Sequence, residues 1–181
     1  EPIRNKLSYL LYKYPNTRVN LENLMIILFD DDIVEACPNY SFQNIEICKR
    51  LREDLNTNRI GTVLDTCHAI STIRMTEGLR KRNIIEPLSL KEFFIRNKEY
   101  LNVIHLANSI DYGVDNEELK MHGVGFDTEE DMELLKKMVN YIKEINYDKI
   151  ITLEVQEDDY LNCVVFEKLN KDLKRILEIN D

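Results

Sequence analysis

Residues 60–70 read IGTVLDTCHAI, an apolar run that ends in Asp65 and is followed three positions later by His68. Residues 60–64 are typical of a buried strand, and residues 65–68 are predicted to form the loop that leaves it. A carboxylate and an imidazole at the end of a buried strand are both common metal ligands. The simpler alternative is that Asp65 caps the next segment and that His68 is a surface group.

Three other short apolar segments predict strands, at residues 18–21, 101–106 and 149–153. Segments with helical periodicity separate the four strands, and strands that alternate with helices are typical of a parallel sheet with helices outside. We therefore expect an α/β fold of (β/α) TIM-barrel type, in which one domain spanning residues 1–181 contains about four βα units. A complete eight-stranded barrel typically needs roughly 250 residues, so the barrel is expected to be partial.

The segments that connect the predicted strands and helices show no clear periodicity of hydrophobic residues. Residues 30–40 are polar and are predicted to form a loop, and no regular structure is predicted from the end of the Asp65 loop to Pro87. Residues 107–127 are glycine-containing and are predicted to form one long loop.

The composition narrows the classes of function. The 181 residues carry a formal net charge of -9, which argues against a nucleic-acid partner without excluding one. The four cysteines show no C-x-x-C spacing, which favours a reducing, cytoplasmic location. No apolar run is long enough to cross a bilayer, so no membrane partner is expected.

Each predicted strand ends at a potential metal ligand. These residues are Glu22, Asp65, His105 and Glu154. Because the carboxyl ends of parallel strands meet at one edge of a sheet, the four side chains should converge there. We therefore predict a metal-binding site at this edge, for an ion such as Mn, Co, Zn or Mg. Two of these residues also have a simpler explanation without a metal. Glu22 could form an ion pair, and Glu154 could belong to a solvated acidic loop.

The motifs at the strand ends are NLEN at residues 20–23, LDTCHA at residues 64–69, IHLANS at residues 104–109 and ITLEV at residues 151–155. Together they resemble successive strand ends of the xylose isomerase-like TIM-barrel superfamily, which includes endonuclease IV and the ketose 3-epimerases. The resemblance covers nearly the whole chain and corresponds to the C-terminal half of that barrel. The N-terminal strands of the superfamily have no counterpart in the sequence.

The resemblance implies two different sites. In the epimerase and isomerase branch it implies one divalent metal ion held by the four residues above. Glu22 and Glu154 would also transfer the proton, and His68 and His122 would contact the substrate. The endonuclease IV branch has a D-x-H pair where this chain has Lys120 before His122, so a complete three-zinc site is not implied.

The function that we expect is therefore a divalent-metal-dependent isomerase or epimerase of a small sugar or sugar phosphate. One alternative is an endonuclease IV-like AP endonuclease, a zinc phosphodiesterase acting on abasic DNA. Another is a non-catalytic fragment or binding module on the same scaffold. Half a barrel would leave open sheet edges and an exposed inner face, so we expect a homo-oligomer or a missing N-terminal half.

Overall fold

The computed structural model describes residues 2–24, 26–29, 32–35, 41–80, 89–110 and 121–178. The helices are α1 Pro2–Lys13, α2 Ser41–Leu55, α3 Thr66–Arg80, α4 Leu90–Asn97, α5 Glu129–Glu144 and α6 Val164–Leu177. The strands are β1 Val19–Glu22, β2 Ile26–Phe29, β3 Asp32–Glu35, β4 Ile60–Asp65, β5 Leu101–Leu106, β6 Asn108–Ile110, β7 Met121–Val124 and β8 Ile150–Leu153. Within these ranges, no helix combines the length and the apolar character that crossing a bilayer requires.

The central feature is a four-stranded sheet in the order β1-β4-β5-β8. All three of its strand pairs are parallel. Helices connect the strands, as the alternating sequence pattern predicted. The register places Asp65 opposite His105, and His105 opposite Thr152. The predicted α/β class is confirmed, and the carboxyl ends of the four strands lie at the same edge.

The hydrophobic core lies between one face of this sheet and the helices. Leu64, Ile104 and Leu106 are fully buried and pack against Phe94 of α4 and Leu135 of α5 within the same cluster. The other sheet face is less covered, since Val103 is half-buried and its register partner Ile150 is 62% exposed. This asymmetry fits a partial barrel, in which the face directed toward the barrel interior stays open.

The prediction of a loop at residues 65–68 is wrong, because α3 begins at Thr66, directly after the strand. Asp65 makes the sharp transition possible: its Oδ1 accepts hydrogen bonds from the main-chain N–H of Cys67 at 2.8 Å and of His68 at 3.1 Å. The sequence pattern does not indicate this helix because most of its first seven residues are buried. A helix that is buried nearly all round lacks the one-sided apolar pattern that identifies surface helices.

Two other loop predictions are wrong in part. Residues 107–127 contain β6 and β7, which pair with each other in antiparallel fashion. Residues 30–40 contain β3, which pairs antiparallel with β2. These strands have three or four residues, too few to show a period of two in the sequence. By contrast, α4 and α5 lie in the segments between strands that were predicted to be helical, and Ser89 and Thr128 form capping boxes at their starts.

Gly61 in β4 is required for close contact between strands. A Cβ atom there would lie 2.0 Å from Asn102 Nδ2 and 2.8 Å from the main-chain oxygen of Tyr100. We expect Gly61→Ala to lower the free energy of unfolding by about 1–3 kcal/mol, measured by urea denaturation. Gly125→Ala is the matched control, because its Cβ would meet a movable side-chain atom, Val165 Cγ1, at 3.0 Å. Equal losses in the two variants would contradict this account of Gly61.

Candidate metal centre

The four predicted ligands lie together at the carboxyl edge of the sheet. Glu22 ends β1, Asp65 ends β4, His105 is the penultimate residue of β5, and Glu154 directly follows β8. One ligand atom from each residue lies within 4.8 Å of the others. We call these residues the four-residue cluster. Residues up to 132 positions apart in sequence therefore meet at one point, as the parallel topology requires.

His105 is the centre of the cluster. Its Nδ1 lies 3.0 Å from Glu22 Oε1 and 2.6 Å from Glu154 Oε2. The hydrogen bond to Glu22 and the nearby carboxylate charges raise the pKa of His105, against the opposing effect of burial. The same hydrogen bond lowers the pKa of Glu22. Nδ1 of His105 therefore lies between two carboxylate oxygens.

Asp65 serves two purposes in the structure. It is 2% exposed, and its Oδ1 caps α3 through the N–H groups of Cys67 and His68. Its other oxygen, Oδ2, lies 3.3 Å from Nδ1 of His68. The capping alternative raised from the sequence is therefore confirmed, and it does not compete with membership in the cluster.

His68 lies beside the cluster on the first turn of α3. Its Nδ1 is 2.8 Å from the main-chain oxygen of Asn23. A carbonyl oxygen only accepts hydrogen bonds, so Nδ1 carries the proton, and Nε2 has none in the neutral ring. The predicted substrate contact of His68 stays a prediction. His122 is opposite Ser109 in the β6–β7 pair, and its side chain lies outside the described residues.

The donor set fits a divalent cation. Three carboxylates and one imidazole offer the oxygen and nitrogen ligands that Mn, Zn and Co accept, and Mg takes the oxygens. Three carboxylates this close repel one another unless a cation or a proton lies between them. Four protein ligands also leave coordination positions for further oxygen ligands when an ion prefers five or six. The residues therefore fit the predicted single ion.

The raised pKa of His105 predicts a pH-dependent metal affinity, because a proton and a metal ion compete for Nδ1. We expect the affinity for Mn²⁺ to fall as the pH decreases through a value above the ordinary 6.5 of histidine. Isothermal titration calorimetry over about pH 5 to 9 measures this. Glu22 stays ionised over that range because its pKa is lowered. An affinity that is unchanged at about pH 5 would contradict the competition.

No family model and no curated protein matches the sequence. The structure is similar to a solved L-ribulose 3-epimerase, with a TM-score of 0.51 and 13% identity over 97% of this chain and 52% of that one. This chain has a partial (β/α)-barrel fold. Lower similarity is found to a 3-keto-D-glucoside 4-epimerase from E. coli, with a TM-score of 0.48 and 13% identity over 96% and 50% of the two chains. A D-allulose 3-epimerase from Methylomonas sp. follows, with a TM-score of 0.45 and 13% identity over 89% and 48%.

The chain spans about half the length of the solved structures that it matches. At 13% identity the similarity concerns the fold alone. The role of each cluster residue has to be argued from its own chemistry.

Sequence reasoning missed the residues that connect the strand ends. Asn23 and Thr66 adjoin Glu22 and Asp65 and lie within the NLEN and LDTCHA motifs, which was the available signal. Cys67 was also overlooked: burial raises the pKa of its thiol, and its sulfur forms a second group of ligand-type atoms with Asp65 and His68.

Proposed function

We propose that this chain carries the metal centre and the acid–base pair of a divalent-metal-dependent sugar or sugar-phosphate isomerase or epimerase. The observation that supports it is the four-residue cluster, with ligand atoms of three carboxylates and one imidazole within 4.8 Å at the carboxyl edge of a parallel sheet. That edge is where (β/α) barrels place their active sites. The substrate class is a small ketose that offers adjacent carbonyl and hydroxyl oxygens.

When bound, a divalent ion would supply Lewis-acid stabilisation of the negative charge that develops on these two substrate oxygens. The protein residues would transfer the proton. Glu22 and Glu154 reach the same nitrogen of His105 from β1 and β8, the two outer strands of the sheet. Two carboxylates that approach one point from different strands can remove a proton from one face of a carbon and return it to the other.

The pKa of Glu22 is lowered by its hydrogen bond to His105, so this carboxyl group is ionised at neutral pH and can accept a proton. Glu154 has a side chain that is 55% exposed, so it can exchange protons with solvent. His68, with an unprotonated Nε2 in its neutral form, would accept a hydrogen bond from a substrate hydroxyl.

The test is to incubate the Mn²⁺-loaded protein with a panel of ketoses and ketose phosphates in D₂O. We expect an epimer or an aldose that carries deuterium at the carbon next to the carbonyl, detected by NMR. Asp65→Asn protein is the matched control and should give neither product nor exchange. Metal binding by the wild type without any exchange, across the panel, would contradict the proposed chemistry while leaving the metal centre intact.

One observation favours a second candidate, a zinc phosphodiesterase acting on abasic DNA. Asp65, Cys67 and His68 form another group of ligand-type atoms within 4.8 Å, and this group shares Asp65 with the cluster. Two or three zinc ions per chain, together with cleavage of a duplex containing an abasic site, would favour this candidate. One ion per chain and no cleavage would favour the isomerase.

A further inference from the structure

Asn23 connects the end of β1 to the end of β4. It is 2% exposed, and its side chain bonds both main-chain polar groups of Asp65. Its Nδ2 donates to the Asp65 oxygen at 3.0 Å, and its Oδ1 accepts from the Asp65 N–H at 2.8 Å. An amide is the side chain that can satisfy a donor and an acceptor of one residue at once. The two hydrogen bonds, to the main-chain oxygen and to the N–H of Asp65, thereby fix the position of Asp65 relative to β1.

Thr66 makes the corresponding connection between β4 and β5. It is fully buried, and its Oγ1 accepts from the Ala107 N–H at 3.1 Å. The same hydroxyl donates to the main-chain oxygen of Ala107 at 2.7 Å. The main-chain oxygen of His105 is a second acceptor, 3.2 Å from the hydroxyl. Thr66 directly follows Asp65, and Ala107 lies two residues after His105. One hydroxyl therefore connects the strand end that carries Asp65 to the one that carries His105.

The bonds of Asn23 lie beyond the end of the ladder between β1 and β4. Glu22 is the last residue of β1 and pairs with Val63, so Asp65 extends two residues past the end of that pairing. The carboxylates of the cluster repel one another unless a cation or a proton lies between them. The bonds of Asn23 therefore hold Asp65 to β1 beyond the last ladder pair, and the bonds of Thr66 add to the ladder pair between Asp65 and His105.

We propose that Asn23 and Thr66 are positioning residues that hold Glu22, Asp65 and His105 at the separation required by a single cation. The proposal rests on the metal centre proposed above. Neither side chain belongs to the four-residue cluster, and each acts through main-chain atoms next to a cluster residue. Removing either connection should weaken metal binding while the helices and the hydrophobic core stay in place.

The test compares Mn²⁺ affinities, measured by calorimetry, for variants shown to be folded by circular dichroism. Thr66→Val is nearly isosteric and removes the hydroxyl, whereas Thr66→Ser retains it. We expect Thr66→Val to weaken binding roughly 10- to 100-fold, the usual effect of losing a group that orients a metal ligand. Thr66→Ser should bind nearly as tightly as the wild type. Asn23→Ala is a second, independent variant and should weaken binding similarly.

Thr62→Val is the matched control in the same strand. The Thr62 hydroxyl is buried, and its oxygen has no hydrogen-bond partner among the described residues. The substitution therefore removes a buried threonine hydroxyl without removing a connection, and the affinity should not change. If Thr66→Val and Asn23→Ala bind Mn²⁺ as tightly as the wild type, the proposal is overturned. It is overturned equally if neither variant folds while Thr62→Val does, since their role is then structural.

A wild type that binds no metal would contradict the metal centre, and the positioning role is then decided on the metal-free protein. The readout is the NMR resonance of the His105 imidazole N–H, which lies between two carboxylates. A change of this resonance in Thr66→Val, restored in Thr66→Ser and absent in Thr62→Val, would support the proposal. An unchanged resonance in all variants would overturn it.

Discussion

Replacing Asp65 with asparagine is expected to abolish the stabilisation that a divalent ion gives to the wild-type protein. A ligand that binds only the folded state, at about a thousand times its Kd, adds about 4 kcal/mol to the free energy of unfolding. Asparagine is as good a helix cap as aspartate, so the N–H groups of Cys67 and His68 keep their acceptor. The variant loses only a negative charge from the cluster. Urea denaturation with and without Mn²⁺ measures both effects.

Two further variants separate capping from metal binding. Asp65→Ala removes the acceptor as well as the charge, so its metal-free form should be less stable by about 1 kcal/mol. Asp131→Asn makes the same chemical change at the start of α5, where Asp131 belongs to a capping box outside the cluster. This control should keep the full stabilisation by Mn²⁺. Stabilisation of Asp65→Asn equal to that of the wild type would show that Asp65 is not a ligand.

Glu154→Gln is expected to lower the rate of ketose epimerisation by about 10²- to 10⁴-fold, the usual contribution of a general acid or base. A neutral amide can neither take up nor return the proton. The rate is compared at a metal concentration that saturates the variant, so that weaker metal binding does not explain the loss. The assay follows formation of the epimer in D₂O by NMR.

Glu157→Gln is the control for this substitution. It lies three residues further along the same segment, where its carboxylate accepts hydrogen bonds from the main-chain N–H groups of Val165 and Phe166. Its epimerisation rate should be that of the wild type. A wild-type rate in Glu154→Gln itself would exclude this residue from proton transfer.

The sequence predicted the positions of the four parallel strands because each is a short apolar run followed by a helical segment. The predicted strand at residues 60–64 differs from β4 by a single residue. The parallel arrangement then determined that Asp65 and His105 would be neighbours, which the register confirms. Their role as metal ligands stays a prediction, since proximity alone does not establish binding.

The connections between the strand ends and the β6–β7 pairing could not be predicted, because they depend on contacts between segments that are distant in sequence. The bonds from Asn23 to Asp65 span 42 residues, and those from Thr66 to Ala107 span 41. No local pattern indicates them. The antiparallel pairing of β6 with β7 likewise depends on tertiary contacts. His122 therefore lies in a strand, whereas a loop was predicted there.

The central claim is that one cation is held by the four-residue cluster. A crystal of the wild-type protein grown with Mn²⁺, measured for anomalous scattering, tests it most directly. We expect a single strong peak about 2 Å from ligand atoms of Glu22, Asp65, His105 and Glu154. The absence of a peak at saturating Mn²⁺, or a peak bonded to other residues, would contradict it.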